Sequence, residues 1–308
     1  MKNKQPVILV TGANGQLGNE LRVLSAAYPA YDFLFVTRDE LEISDAAAVK
    51  KYFDSNKIDY CINCAAYTAV DKAETEKEKA FQVNADAVGY LAKACEKHKA
   101  QLIHVSTDYV FDGTATEPIE ENEHVSPLGV YGMSKLRGEQ LAISNNENAI
   151  IIRTSWVYSS FGNNFVKTML RLMKEKESIN VVSDQRGCPT YAADLADAIM
   201  KIVSKLTTDD RPQTTGGQLS VVGRLHLSGI YNYSNSGIIS WYEFALAIKE
   251  LSGSKCVVNP IPTAQYPTPA KRPQYSVLDT TKILQTFNIV IPEWKDSLKK
   301  CLAILLPS

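Results

Sequence analysis

Five short runs of apolar and β-branched residues punctuate the first half of the chain, at 7–10, 33–36, 60–63, 102–105 and 150–154. They lack polar alternation, the pattern of strands buried on both faces of a parallel sheet. Segments of helical length lie between them, at 17–28, 46–56, 74–97 and 134–144. Strand and helix in alternation predict right-handed crossovers and a doubly wound parallel sheet, an α/β fold of Rossmann type. Beyond about residue 155 the rhythm changes. Apolar helical segments fall at 165–174 and 192–205, and a polar stretch at 206–223 reads as a mobile loop. A tyrosine-rich run at 229–233 precedes a helix at 240–251, on which Trp241, Phe244, Ala245 and Ile248 share one face. Five prolines between 260 and 273 then predict a loop-rich segment. The expected organisation is a first domain over residues 1–155 and a smaller α/β lobe over 156–308, laid across the carboxyl edge of the sheet. Part of 190–225 is expected to pack back onto the first domain.

Composition narrows the classes. The 308 residues are 45% hydrophobic and 22% charged, and 33 basic against 34 acidic residues give a formal charge of -1. No basic field exists to attract nucleic acid or an anionic membrane, so neither is expected as a partner, and an anionic ligand must be held locally. The opening MKNKQPVILV lacks the length of a signal peptide, and no apolar run approaches a membrane span; a cytoplasmic protein is expected. Six scattered cysteines suit buried thiols in a reducing compartment. Cys61 and Cys64 form a CxxC inside a strand-like run, where residues three apart point to opposite faces, so neither a redox pair nor a metal site is predicted. His104, in a strand, and His124, in a polar loop, have no ligand spacing, so no metal site is expected. The mixed-sign run 71–79 reads as a solvated helix face.

The first strand runs directly into Thr11-Gly12-Ala13-Asn14-Gly15-Gln16-Leu17-Gly18. Glycines at 12, 15 and 18 permit a tight turn and close backbone approach, and free amides at the following helix start meet a pyrophosphate. This position predicts a dinucleotide cofactor. The second strand ends in Val36-Thr37-Arg38-Asp39. A cation there favours the 2′-phosphate of NADPH, and a carboxylate, Asp39 or Glu42, favours the ribose of NADH. Arg38 directly follows the strand and tilts the expectation to NADPH over NADH. Glu42 and Ile43 join the expected cofactor-binding residues.

Tyr131 and Lys135 stand four apart and share a helix face. They follow the fourth strand, which ends in Ser106-Thr107-Asp108 at the ligand-binding edge. A free phenol has a pKa of about 10, and a neighbouring ammonium brings it toward the working range. Thr107 or Ser106 then hydrogen-bonds the reacting oxygen, and the phenol serves as the proton partner of a hydride transfer.

The glycine turn, the Ser/Thr pair and the YxxxK spacing together resemble the short-chain dehydrogenase/reductase family, in its extended branch acting on nucleotide sugars. Longer strings in both halves are similar to the dTDP-4-dehydrorhamnose reductase family. They include 66–74 (AYTAVDKAE), 106–111 (STDYVF), 153–158 (RTSWVY), 162–165 (GNNF), 184–190 (DQRGCPT) and 266–273 (YPTPAKRP). That resemblance implies reduction of the C4 ketone of dTDP-4-dehydro-β-L-rhamnose by NAD(P)H, the last step of dTDP-L-rhamnose formation. It implies Tyr131 as proton donor and Lys135 as the residue that binds the nicotinamide ribose and lowers the phenol's pKa. Gly15, Gln16, Leu17, Ala66, Tyr67 and Thr68 are implied around the cofactor, Thr107 and Asp108 at the sugar, Trp156 as a pocket wall and Arg272 at the diphosphate. Some members of that family form magnesium-linked dimers through acidic side chains. Glu20 matches the first, whereas Ala193 and the apolar tail 301–306 stand where the others belong. A monomer or homodimer is therefore expected, without the magnesium link.

Two alternatives follow from the same residues. A nucleotide-sugar epimerase retaining NAD would use the same tyrosine, but the strings of the second half oppose it. A non-catalytic regulatory subunit of this fold would not need Thr107, Tyr131 and Lys135 together.

Overall fold

Val7–Thr11 (β1), Asp32–Val36 (β2), Tyr60–Asn63 (β3), Gln101–Thr107 (β4) and Ile150–Thr154 (β5) all form, at the positions of the apolar runs. The computed structural model describes residues 5–209, 213–215, 218–220 and 227–306. A sixth strand, Gly229–Asn232 (β6), is the tyrosine-rich run, and it completes a sheet of order β6-β5-β4-β3-β1-β2. Every neighbouring pair is parallel. The order reverses at β1, which opens a crevice beyond the carboxyl ends of β1 and β3, where sheets of this kind take ligands.

Both faces of the sheet are covered, which explains the continuous apolar runs. On one face Ile8, Ile62, Ile103 and Ile152 pack with Leu17 and Leu21 of the Gln16–Leu24 helix (α1) and with Leu195, Ile199 and Val203 of the Ala192–Asp209 helix. On the other face Leu9, Cys61, Leu102 and Ile151 pack with Val49, Phe53, Leu91 and Ala142. Cys61 belongs to the second cluster and Cys64 packs against the first, so the CxxC thiols serve opposite sides. All six cysteines are free.

The helix expected at 74–97 is segmented. A turn at Val70–Ala73 precedes Lys77–Phe81, a π-helical turn at Gln82–Asp86 and the Ala87–His98 helix. The helix expected at 134–144 runs Val130–Asn145, which puts Tyr131 in its first turn. The stretch 206–223, read as a loop, is helical through Asp209 and pairs Gln213–Thr215 with Gln218–Ser220. The remainder of that stretch lies outside the described residues.

The second lobe has its own core. Val166, Met169, Phe244, Ile248, Leu298 and Leu302 come together from the helices Phe165–Glu175, Trp241–Ser252 and Trp294–Leu305. Ser178–Val182 and Val257–Ile261 form a parallel pair beside them. The Trp241 helix starts on a capping box: Glu243 N–H donates to Ser240 Oγ, and the Glu243 carboxylate accepts from Ser240 N–H. Among the described residues no helix is long and apolar enough to cross a membrane.

Candidate active site

The chain leaves β1 at Gly12 with φ +66, a left-handed conformation that disfavours a Cβ. A Cβ there would stand 2.6 Å from the backbone nitrogen of Ala65, so the turn meets the segment after β3 only because residue 12 is glycine. Gly15 caps α1 without a side-chain bond, leaving the first amides of the helix for an anion. A cavity of about 290 Å³ opens here, lined by Gly12, Gly15, Arg38, Glu42, Ile43, Ala66 and Tyr67, all expected from sequence. Thr37, Leu41, Cys64, Ala65, Lys79 and Val83 line it as well. The glycine-only approach, the uncapped helix start and the cavity beside them fit the pyrophosphate and adenosine of a dinucleotide.

Other expected members are placed differently. The Leu17 side chain is 7% exposed and belongs to the core under the sheet. Gln16 Nε2 donates to the Val157 carbonyl at 3.5 Å and its Oε1 accepts from Asn164 at 2.9 Å, so its side chain ties the two lobes. At Gly18 a Cβ would lie 2.5 Å from the Gly12 carbonyl oxygen, so this glycine lets α1 pack on its own turn. Thr68 is exposed and Asp39 is also outside the cavity lining. Arg38 and Glu42 are an ion pair, with Nε to Oε2 at 2.5 Å. The Ser44 hydroxyl also donates to Glu42, and these bonds hold its carboxyl below the ordinary range.

The Val130–Asn145 helix is capped from a distance: Val130 N–H donates to Glu74 Oε1 at 2.9 Å. Within it, Cβ atoms at Gly132 and Gly138 would stand 2.2 Å from the Tyr109 carbonyl oxygen and 2.0 Å from that of Asn84. The helix is thus pressed onto the turn after β4 and onto the π-helical turn. Asn84 donates to Ser134 Oγ and to the Tyr67 carbonyl and accepts from Tyr67 N–H, joining the cofactor-side loop to the helix.

Tyr131 packs its ring edge-on against Tyr109, centroids 5.5 Å apart. Burial pushes its phenol up to about 12; the hydrogen bond with Thr107 opposes the rise and the Asp108 carboxylate adds to it. The phenol is therefore protonated throughout the neutral range. Lys135 is 2% exposed, donates to the Val105 carbonyl at 2.6 Å and meets His104 Nε2 at 3.4 Å. Burial brings it down to about 8, against the pull of Glu139 and Cys64. In the coenzyme-free chain burial is the largest influence on the phenol, and the Lys135 nitrogen is spent on the Val105 carbonyl of β4. Ser106, the alternative to Thr107, donates to Glu139 Oε1 at 2.5 Å. Successive strand residues point apart, and this leaves Thr107 as the hydroxyl beside Tyr131.

Asp108 is 2% exposed, accepts from Thr107 Oγ1 at 3.0 Å, and its Oδ2 is buried with no hydrogen-bond partner. Burial raises its carboxyl to about 6, opposed by the Ser276 and Thr107 hydroxyls. Trp156 has φ +47 and stacks on Trp241 at 3.6 Å, and Gly187 leaves room for its indole. Arg272 makes a two-pronged pair with Asp71, at 3.0 and 2.8 Å, across the cleft between the lobes. Its charge is felt at Tyr109, which also feels Asp108 and Tyr131. Glu20 is 6% exposed and accepts from Ser159 Oγ at 2.6 Å. Among the described residues no three acidic, histidine or cysteine side chains are grouped to hold a metal. Asp71, Glu74 and Asn84 were given no site role by the sequence, and Trp241 was placed only on an apolar helix face. The strings containing the first two were visible, but their partners are remote in the chain.

Fold and site together define a class: a Rossmann-fold oxidoreductase of the short-chain dehydrogenase/reductase type. Within it, the chain belongs to the RmlD substrate binding domain family, whose model matches residues 6–306. It is 43% identical to a dTDP-4-dehydrorhamnose reductase of Aggregatibacter actinomycetemcomitans, over 95% of this chain and 97% of that protein. A crystal structure of a dTDP-4-dehydrorhamnose reductase from Clostridium acetobutylicum superposes with a TM-score of 0.87 at 39% identity, covering 97% of this chain and 99% of that one. The Bacillus anthracis enzyme of the same name, crystallised with NADP, has a TM-score of 0.87 at 35% identity, covering 98% and 100%.

Proposed function

We propose that the protein reduces the C4 ketone of dTDP-4-dehydro-β-L-rhamnose to dTDP-L-rhamnose with NADPH or NADH. The observation that carries the reading is the placement of Thr107 at the end of β4 and of Tyr131 in the first turn of the Val130–Asn145 helix, packed on Tyr109 of the turn after β4, at the same sheet edge as the glycine-turned cavity. Gly12, Gly15 and the α1 amides hold the coenzyme's pyrophosphate, while Ile43, Ala66 and Tyr67 border it. Arg38 selects the 2′-phosphate, which favours NADPH, and Glu42 is its resting partner. When bound, the coenzyme supplies the hydride that reduces C4.

The chain's own residues do the rest. Thr107 hydrogen-bonds the C4 oxygen and orients it, and Tyr131, a protonated phenol, gives that oxygen its proton. Lys135 binds the nicotinamide ribose. Asp108 accepts from a sugar hydroxyl through its unpartnered Oδ2. Trp156, fixed by Trp241, walls the sugar, and Arg272 exchanges Asp71 for diphosphate oxygens, which suit its planar donors.

We assign coenzyme binding to residues 1–155, joined by the Ala192–Asp209 helix and β6, and substrate binding to the remainder of 156–308. The six unpaired thiols accord with a reducing cytoplasm, and the buried Glu20 accords with a monomer or a homodimer without a magnesium link. The test is an assay of the purified protein with dTDP-4-dehydrorhamnose, following NADPH and NADH oxidation separately. Consumption of coenzyme in step with product supports the reading. Product formed at constant coenzyme absorbance overturns it in favour of an epimerase.

A further inference from the structure

A row of polar side chains crosses the sheet beneath the reactive helix. Thr11 of β1 is in register with Asn63 of β3, and Asn63 with His104 of β4. All three are buried, at 1%, 0% and 0% exposure. Leu9, Cys61 and Leu102, two residues earlier on each strand, lie in the core cluster that also holds Ala142 of the Val130–Asn145 helix. The row therefore faces that helix, and Lys135 closes it. A buried polar chain of this kind must satisfy every donor and acceptor, and that requirement fixes its protons.

The accounting begins at a group that cannot be reversed. Ala65 N–H is a backbone donor and points to Asn63 Oδ1 at 3.1 Å; Thr11 Oγ1 donates to the same oxygen at 2.7 Å. The amide is thereby oriented, and its Nδ2 donates to His104 Nδ1 at 3.0 Å. An imidazole whose Nδ1 accepts carries its proton on Nε2. That N–H faces Lys135 Nζ at 3.4 Å, while Nζ donates to the Val105 carbonyl. A neutral amine satisfies both contacts with its lone pair and one N–H, whereas an ammonium would set donor against donor.

We propose that Asn63 and His104 are positioning residues that favour the neutral amine of Lys135 in the coenzyme-free protein, Asn63 by fixing the tautomer of His104. The ionisable groups around Lys135 are Cys64 from the end of β3, His104 from β4, and Tyr131 and Glu139 from its own helix. Glu139 is the anion that opposes the effect, and it is shared with Arg153 and Ser106. His104 itself is held neutral, its pKa driven down by burial and by Lys135. The consequence for the reaction rests on the reading of Lys135 as a coenzyme ligand: the lysine takes up or releases its proton near neutral pH instead of carrying a permanent charge.

The test uses the full-length coenzyme-free protein. Long-range nitrogen NMR of labelled histidine, with the His104 signal identified by its loss in His104→Gln, reads the tautomer directly. Nε2-protonated neutral imidazole from pH 6 to 9 is the expected result. An Nδ1-protonated ring, or an imidazolium titrating in that range, overturns the proposal. In Asn63→Asp the carboxylate accepts from Ala65, Thr11 and His104 alike, so the tautomer reverses and Nε2 becomes an acceptor for an ammonium. The Lys135 side-chain signal, identified by its loss in Lys135→Arg, should then show at least a roughly tenfold rise in proton affinity, about one pH unit in its midpoint. A folded Asn63→Asp protein with its tautomer and midpoint unchanged overturns the proposal, and if that variant does not fold the wild-type tautomer decides alone. Failure of the reductase assay would leave both spectroscopic results standing, so the two readings fail separately.

Discussion

Arg153 and Glu139 form a two-pronged ion pair sealed from solvent, with Nε on Oε1 at 3.0 Å and Nη2 on Oε2 at 2.7 Å. Each side chain is 2% exposed. Tyr131, Lys135 and Glu139 follow one another at four-residue steps along one helix face, so the pair anchors the inner end of the reactive stripe. Its two ends come from the helix and from β5, which fixes the helix against the sheet.

Removing one partner leaves the other buried and uncompensated. Glu139→Gln is expected to lower unfolding free energy by roughly 3–5 kcal/mol, well beyond the effect of an exposed pair such as Arg171–Glu175. Denaturant titration checks this. A loss no larger than that of Glu175→Gln would contradict the anchoring role.

Asp108 trades stability for a polar contact. Its carboxyl is raised from 3.8 to about 6 by burial, so the folded chain binds this proton more tightly than the unfolded one. The cost of the buried anion is absent below the unfolded value, grows as pH rises toward 6, and is fully present above it. Asp108→Asn is therefore expected to be more stable than wild type at pH 7.5, by up to about 3 kcal/mol, with the advantage vanishing near pH 3.5. Turnover should fall and lose its acid limb near pH 6. Paired melting curves and pH-rate profiles check both halves, and a stability difference independent of pH would refute the account.

Gly12 controls access to the coenzyme cavity. Alanine there adds about 1–2 kcal/mol of left-handed backbone strain and a Cβ against the Ala65 backbone, forcing the turn and the post-β3 segment apart. Gly12→Ala should weaken NADP binding at least tenfold by calorimetry while the circular dichroism spectrum is retained. Unchanged affinity would remove the turn from the site.

Much of the scaffold is legible in the sequence because buried parallel strands write their burial continuously, as in Ile8-Leu9-Val10 and Ile150-Ile151-Ile152. The edge strand β6 is less legible: Gly229–Asn232 is only four residues long, with one tyrosine inside it and another just after it, and its place beside β5 depends on a crossover that pattern cannot reveal. Strand register is equally silent, which is why His104 reads only as a strand histidine until Asn63 and Lys135 are seen on either side of it. The choice between Ser106 and Thr107 had to wait for Glu139. Sequence spacing brought Tyr131 and Lys135 onto one face, but it could not say that the Val105 carbonyl would take the lysine. Gln16, Leu17 and Gly18 sit in the glycine motif, and their side-chain positions serve lobe contact, core and helix packing, which leaves their backbone amides at the start of α1 as the groups that can meet a ligand.

The central claim is that the Tyr131 phenol delivers the proton. Tyr131→Phe removes one oxygen from a ring held by Tyr109, so fold and coenzyme affinity should be unchanged. Steady-state turnover of dTDP-4-dehydrorhamnose, measured with coenzyme binding on the same preparation, should fall by at least about a hundredfold. Turnover near the wild-type rate in a folded, coenzyme-binding Tyr131→Phe protein would contradict the assignment.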